Sequence, residues 1–296
     1  DCLRHGMMAV VVWRICRNAC QIRARVFAVL LCIICLDSVS AQEQYTAGHD
    51  TTNVVMLGDS NTWLGGDSCD RPHGWTKWFA EECYPATCRS YARSGATWTA
   101  TVRTVRDVDE YTEKLGDNNV IYNQICRLMV AVADGRQAYP HTIIISAGTN
   151  DAWFVAARPG ALDMDASEVF ANDAVGHAAD DSVNGEVDTS GSMLTLAGAV
   201  RFCCGLLQKT FPDVRIVLLT PLQSTAVSEA GITRAGDIIE ECGRCMGLTV
   251  IRQDRLGCVA RRNEIHRRCM TTDGTHTSVE GARFNGILIA KMLNIK

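Results

Sequence analysis

Short apolar runs alternate with longer amphipathic segments along most of the chain, from residue 53 onward. Most of the short runs are rich in Val, Ile and Leu, which is typical of buried strands, and they predict strands at 53–57, 88–92, 142–146, 214–220 and 248–251. The longer segments repeat apolar residues at the spacing of one helix face. They predict helices at 75–83, 119–134, 194–210, 232–246 and 279–293.

This alternation of strand and helix determines the expected fold class, which is α/β. Strands that are apolar at nearly every residue are covered on both faces, and strands separated by helices pair in parallel. With right-handed crossovers, the expected architecture is a three-layer α/β/α sandwich around a five-stranded parallel sheet. Such sheets bind ligands outside the carboxyl ends of their strands, so candidate functional residues are sought there.

The first 41 residues differ from the rest of the chain, because an apolar run at 26–36 follows a basic region and precedes small residues at 39–41. The basic region contains Arg14, Arg17, Arg23 and Arg25. This order predicts a signal peptide that is cleaved near Ala41, and hence a secreted or periplasmic protein. The run is too short to span a bilayer comfortably, with an uncleaved anchor as the alternative. We therefore expect a leader at 1–41 and a single domain at 42–296.

Net charge restricts the partners of residues 42–296. They carry 24 basic and 31 acidic side chains, a formal charge of −7, and no basic run with interleaved aromatic residues. We therefore expect no nucleic-acid partner and no stable membrane insertion once the leader is removed.

Residues 158–195 form an acidic insertion, with eight Asp or Glu residues and no Lys or Arg after Arg158. We predict a solvated surface segment. A lid that faces the substrate and a calcium-binding loop are the alternatives, because long loops in compact domains often carry function. The arginine-rich stretch at 252–268 offers the insertion an electrostatic partner.

Fifteen cysteines is a high number for this length. Five lie in the predicted leader and ten in the remainder, where export would permit disulfides whose pairing the sequence does not reveal. Cys242-Gly-Arg-Cys245 is a CxxC, but it has no second CxxC at zinc-ribbon spacing and does not follow a first strand as a thioredoxin site would. We interpret this pair as structural, with a redox or metal role as the alternative.

Two motifs contain residues that together suit nucleophilic catalysis. Gly58-Asp59-Ser60-Asn61 follows the first predicted strand, where Ser60 is either a nucleophile or a helix cap. Asp273-Gly-Thr-His276 precedes the last predicted helix. Its spacing allows the carboxylate to reach one imidazole nitrogen and leaves the other to accept a serine proton. In isolation each motif is weakly specific, since turn and helix-start residues have the same composition.

Further candidates follow the second and third strands. The motif Ser94-Gly-Ala-Thr97 follows the second strand, and Gly148-Thr-Asn-Asp151 follows the third. In these two motifs, the backbone N–H of Gly95 and the side-chain amide of Asn150 are donors suited to a developing oxyanion. Trp63, Trp98 and Trp153 each stand three residues after Ser60, Gly95 or Asn150. If these loops converge, three indoles would surround the mouth of a pocket and contact sugar rings, acyl chains or aryl groups; packing beneath the loops is the alternative.

The four motifs occur in one order over residues 53–296, and this ordered set resembles the SGNH hydrolases, or GDSL-like lipases and esterases. The resemblance implies the flavodoxin-like SGNH hydrolase fold, with Ser60 as nucleophile, His276 as general base and Asp273 as its orienting partner. It also implies an oxyanion hole formed by the N–H groups of Ser60 and Gly95 and the amide of Asn150. The first motif ends in Asn where Leu is common in the family. No metal and no cofactor are expected.

By this resemblance the chain is expected to be a serine esterase that forms an acyl-enzyme and hydrolyses a short-chain O-acyl ester, in particular an acetyl ester on a carbohydrate. Its expected partner is thus a small-molecule or glycan ester. A lysophospholipase or thioesterase with the same triad is one alternative, and a non-catalytic glycan-binding surface protein is another. A redox protein acting through Cys242 and Cys245 is a more distant alternative.

Overall fold

The computed structural model describes residues 52–108, 116–171 and 192–294, which belong to one compact unit that spans Asp50–Lys296. The predicted leader at 1–41 lies outside the described residues, as does the central part of the acidic insertion, 172–191. The leader and the domain boundary that follows it therefore stay predictions.

Five parallel strands form one sheet in the described residues, which confirms the predicted architecture. The strands are β1 (Asn53–Gly58), β2 (Thr87–Ser90), β3 (Thr142–Ser146), β4 (Arg215–Leu219) and β5 (Thr249–Ile251). Their spatial order is β2-β1-β3-β4-β5, and Gly58 pairs with Ser146 at the carboxyl edge. The order reverses between β1 and β3, which is the position where ligands bind in such sheets.

Helices connect the strands and cover the sheet. In chain order they are α1 (Ser60–Trp63), α2 (Trp75–Cys83), α3 (Ile121–Ala133), α4 (Thr149–Trp153), α5 (Ala166–Ala171), α6 (Leu196–Thr210), α7 (Glu229–Met246), α8 (Gln253–Leu256), α9 (Arg261–His266) and α10 (Val279–Leu293). A 3₁₀ turn, Ser192–Leu194, precedes α6. Among the described helices, none combines the length and the apolar composition that a membrane span requires.

Side chains alternate between the two faces of the sheet and form a hydrophobic core on each face. The core shared with α3, α6 and α7 contains Val55, Leu57, Ile143 and Ile145. The core shared with α2 and α10 contains Val54, Met56, Ile144 and Ile289. A Cβ atom on Gly286 of α10 would lie 2.3 Å from the Trp75 carbonyl oxygen, so α2 and α10 approach each other at backbone distance. The two helical layers complete the three-layer sandwich.

The long elements match their predictions except at the ends. The helix predicted at 232–246 begins at Glu229, because the Ser228 side chain accepts a hydrogen bond from Gly231 N at 3.0 Å and caps it. The second strand ends at Ser90 rather than at residue 92. The short helices α1, α4, α5, α8 and α9 were not predicted, since none is long enough to produce a periodic apolar pattern.

The described part of the acidic insertion, 158–171, is solvated only in part: Asp163, Asp165 and Glu168 are exposed, but other residues pack onto the domain. Arg158, Ala161 and Val169 are buried, and Val169 of α5 belongs to the core beneath α6 and α7. Leu196 N donates to the Ala161 carbonyl oxygen at 2.7 Å. This burial was not predicted from the sequence, because residues 158–171 contain too few apolar residues to produce a periodic pattern.

Candidate active site

Ser60 occupies the first position of α1, directly beyond the carboxyl end of β1. The Asp59 side chain accepts a hydrogen bond from Asn61 N at 3.2 Å and caps the helix. Gly58 permits the turn, since a Cβ atom there would lie 2.4 Å from a carbonyl oxygen of β3. The Gln124 side-chain amide binds both the N–H and the carbonyl of Gly58, at 2.8 and 2.9 Å. Ser60 therefore stands on a tightly fixed turn.

His276 lies within hydrogen-bonding distance of both other residues of the predicted triad. Its Nε2 atom is 3.0 Å from Ser60 Oγ, and its Nδ1 atom is 2.6 Å from Asp273 Oδ2. Asp273 Oδ1 accepts hydrogen bonds from Thr275 N at 2.9 Å and His276 N at 2.8 Å. Burial by itself would raise the pKa of Asp273, but the bonds from His276 and from the backbone outweigh it and lower that pKa. An ionised Asp273 favours the imidazole tautomer whose Nε2 accepts a proton from Ser60.

A short antiparallel hairpin, residues 271–277, presents Asp273 and His276. Thr271 pairs with Thr277 at its base. Gly274 at its tip has a φ of +94°, which favours glycine, and its carbonyl oxygen accepts a bond from Thr225 N at 2.8 Å. The loop after β4 therefore holds the tip of this hairpin.

Glu264 of α9 fixes the approach to the hairpin, and sequence reasoning missed it. Its buried carboxylate accepts hydrogen bonds from Cys269 N at 3.1 Å and Met270 N at 2.8 Å. It also accepts from Thr271 N at 3.3 Å and from Thr271 Oγ1 at 2.7 Å. Burial opposes ionisation, but these bonds outweigh it and lower the pKa of Glu264. The available signal was an acidic residue within the arginine-rich stretch at 252–268.

The turn that carries Gly95 lies beside the turn that carries Ser60. Arg93 N donates to the Gly58 carbonyl oxygen at 3.1 Å, and Ala96 N donates back to the Arg93 carbonyl oxygen at 3.2 Å. Gly95 has a φ of +79°, as the third residue of a type II turn requires. The Asn150 side-chain amide donates to the Ala96 carbonyl oxygen at 2.8 Å, which leaves its second N–H for another acceptor.

The three predicted oxyanion donors therefore occupy neighbouring turns. Within the described residues, the backbone N–H groups of Ser60 and Gly95 donate no hydrogen bond. Unpaired N–H groups at the start of a helix and in a turn suit a negatively charged oxygen.

Two buried ionic side chains behind the Gly95 turn were not singled out from the sequence. Asp151 accepts hydrogen bonds from Trp98 N at 3.0 Å, Thr99 N at 2.9 Å and Thr99 Oγ1 at 2.8 Å. Arg158 donates to Thr97 Oγ1 and to the Thr99 carbonyl oxygen. Together they hold residues 97–99 in place, Asp151 from within α4 and Arg158 from the loop that follows α4. The only signal in the sequence was that both residues are charged and lie near Asn150.

Asp59 is the buried carboxyl group closest in sequence to Ser60. Burial raises the pKa of Asp59 to about 6, although the bond from Asn61 N and the nearby His276 partly oppose the shift. The side chain therefore changes its protonation state under mildly acidic conditions, directly beside the candidate nucleophile.

The three tryptophans do not share one environment. Trp98 is fully buried in the core under α3, so the prediction that it lines a pocket mouth is wrong; it packs beneath its loop. Trp63 is half-buried. Trp153 is 41% exposed, and its ring stacks on Phe154 at 6.0 Å between centroids with 15° between planes.

Other candidate chemistry finds little support in the part of the chain that the structure describes. Cys242 is buried in the core and its thiol donates to the Ala197 carbonyl oxygen at 3.7 Å, whereas Cys245 of the same helix is exposed. Burial raises the pKa of the Cys242 thiol to about 12, which disfavours the reactive thiolate. No group of three or more His, Cys, Asp or Glu residues in the described ranges has the arrangement of a metal site.

Comparison with known proteins gives a structural result. No protein-family model matches the sequence, and a search of curated proteins finds no match. A crystal structure from Lactobacillus plantarum is 14% identical, with 83% of this chain and 97% of that chain covered and a TM-score of 0.53. A protein assigned as a GDSL-like lipase from Parabacteroides merdae is 12% identical, with coverages of 83% and 97% and a TM-score of 0.52. Another, from Bacteroides ovatus, is 15% identical, with coverages of 83% and 100% and a TM-score of 0.50.

The chain has the GDSL-like lipase fold. This result confirms the flavodoxin-like three-layer fold that the sequence motifs implied. Nearly the whole of each GDSL-like structure is covered, so the likeness extends over the complete fold of those proteins. At these identities the likeness concerns the fold, and the activity has to be argued from the side chains.

Proposed function

We propose that the protein is a serine hydrolase that cleaves carboxylic esters through an acyl-enzyme. One observation carries this proposal: Asp273, His276 and Ser60 form a continuous chain of hydrogen bonds, with 2.6 Å and 3.0 Å between the paired atoms. Residues 216 positions apart have no local reason to meet in this way. The same three groups, in the same order of contact, activate the serine of a catalytic triad.

In the proposed reaction, His276 Nε2 removes the proton of Ser60 Oγ while this oxygen forms a bond to the ester carbonyl carbon. The N–H groups of Ser60 and Gly95 and the free N–H of Asn150 stabilise the oxyanion. His276 then gives the proton to the leaving alcohol as the C–O bond breaks. A water molecule, deprotonated by His276, hydrolyses the acyl-enzyme, and the proton returns to Ser60.

We infer that the substrate is a short-chain O-acyl ester, in particular an acetyl ester on a carbohydrate. The exposed Trp153 supports this, because it ends the helix that begins beside Asn150 and offers a flat apolar face of the kind that packs against sugar rings. The signal-peptide pattern at 1–41 supports an extracellular or periplasmic polysaccharide as the source of the ester.

The test is a panel of acetylated sugars and of p-nitrophenyl esters with short and long acyl chains, hydrolysed by the parent and by Ser60→Ala. The exposed Ser68→Ala is the matched control. We expect the parent and Ser68→Ala to cleave acetyl esters and Ser60→Ala to be inactive. Asn150→Ala should lower kcat by about 10²–10³. A preference for long acyl chains would instead favour a lysophospholipase or thioesterase, and equal rates for Ser60→Ala and parent would refute the proposal.

A further inference from the structure

We propose that Asn61 is a positioning residue that holds His276 in line with Ser60, an inference that rests on the proposed function. Asn61 is the residue at which the first motif departs from the leucine common in the resembling family. The residue is only 5% exposed, so its buried side-chain amide needs hydrogen-bond partners within the protein.

The Asn61 amide binds the hairpin on both sides of His276. Its Nδ2 atom donates to the Thr275 carbonyl oxygen at 3.2 Å. Its Oδ1 atom accepts from Thr277 N at 3.0 Å. A single primary amide supplies both a donor and an acceptor, which a leucine side chain does not. Asn61 therefore fixes the backbone at the residues immediately before and after His276.

This contact differs in kind from that of Asp273. Asp273 binds the imidazole ring and selects its tautomer, whereas Asn61 binds the backbone that carries the ring. Asn61 also follows Ser60 directly within α1. One turn of helix therefore carries the nucleophile and the group that sets the distance to its base.

A second hydrogen bond also holds the 271–277 hairpin in position. Thr277 Oγ1 donates to the His73 carbonyl oxygen at 2.9 Å, which ties the hairpin to the loop before α2. Among the hydrogen bonds of the described residues, those of Asn61 reach both flanks of His276, at Thr275 and at Thr277. Loss of its amide would leave a buried N–H and a buried carbonyl without these partners.

The test measures kcat and KM of Asn61→Leu and Asn61→Asp with the best ester of the panel, beside the exposed control Asn263→Leu. We expect Asn61→Leu to lower kcat by about 10-fold to 100-fold with KM changed by less than about twofold, because a misplaced base slows proton transfer more than it weakens binding. Asn61→Asp keeps the acceptor but turns a carboxylate toward the Thr275 carbonyl oxygen, so its kcat should also fall. Asn263→Leu should match the parent.

A double-mutant cycle separates positioning from general structure. If Asn61 acts through His276, the loss caused by Asn61→Leu disappears in the His276→Ala background, where only residual acylation of Ser60 is measured. An equal loss in both backgrounds, or parent kcat in Asn61→Asp, overturns the inference. If Asn61→Leu does not fold, Asn61→Asp decides the question by the same cycle. The proposed function fails separately, when the parent itself cleaves no ester.

Discussion

Replacing Glu264 by glutamine should weaken the base of the 271–277 hairpin. Each carboxylate oxygen of Glu264 accepts two of its four hydrogen bonds. A glutamine keeps one oxygen and turns an N–H₂ group toward two donors, so two charge-assisted bonds are lost. At about 1.5 kcal/mol each, the free energy of unfolding should fall by about 3 kcal/mol, or about 6 to 12 °C in Tm.

The pH dependence of the stability loss provides a second test. Because the pKa of Glu264 is lowered in the folded state, its contribution is present above the unfolded pKa and is lost as the pH falls through the folded pKa. The difference in Tm between the parent and Glu264→Gln should therefore be full at about pH 7 and shrink below about pH 4. Because the hairpin carries Asp273 and His276, kcat should fall by about tenfold as well.

Thermal unfolding followed by circular dichroism, with Glu82→Gln as the control, tests this reasoning. Glu82 is exposed on α2, so its substitution makes the same change of charge without disturbing a buried carboxylate. If Glu264→Gln melts at the same temperature as Glu82→Gln at neutral pH, the four bonds do not support the hairpin and the argument is wrong.

Two further predictions concern the buried Asp59 and the contrast between Trp98 and Trp153. Burial raises the pKa of Asp59 from 3.8 to about 6, so the protonated side chain contributes its full stabilisation below the unfolded pKa, and this contribution is lost as the pH rises through about 6. Between about pH 4 and pH 7, the free energy of unfolding of Asp59→Asn should therefore rise by up to about 3 kcal/mol relative to that of the parent, measured by urea unfolding. A difference that does not change with pH would contradict this. Trp98→Ala should lose about 3–5 kcal/mol of stability, whereas the exposed Trp153→Ala should keep the parent Tm and raise KM for sugar esters; equal Tm losses would refute the contrast.

Sequence patterns predicted the parts of this structure that depend on repetition. The five strands and the long helices bury apolar residues at regular intervals, and that regularity is readable without coordinates. Ser60, Asp273 and His276 were recognisable because four motifs, each weakly specific alone, occur in the order typical of the SGNH hydrolases. The structure brings their side chains together.

Features that depend on tertiary contacts could not be predicted from the sequence. Trp98 and Trp153 have the same offset from their motifs, yet one is in the core and the other is exposed, because the offset does not tell on which side of a turn a ring lies. Asn61 binds backbone groups that are distant in sequence, and Glu264 binds backbone groups of an irregular segment. Because every residue has the same backbone groups, the sequence does not show which of them a side chain will bind. Arg158 was assigned to a solvated insertion because the segment that it begins is acidic, and its partners, Thr97 and Thr99, lie about sixty residues earlier in the chain.

The close packing of α10 on α2 has a consequence for the nascent protein. The proposed nucleophile lies near the beginning of the fold and its base directly before the last helix, whose Gly286 must seat against Trp75. During synthesis, the serine is therefore made long before the imidazole that activates it. If the proposed function holds, ester hydrolysis requires α10 to be in place, so chains that end before this helix should not cleave esters.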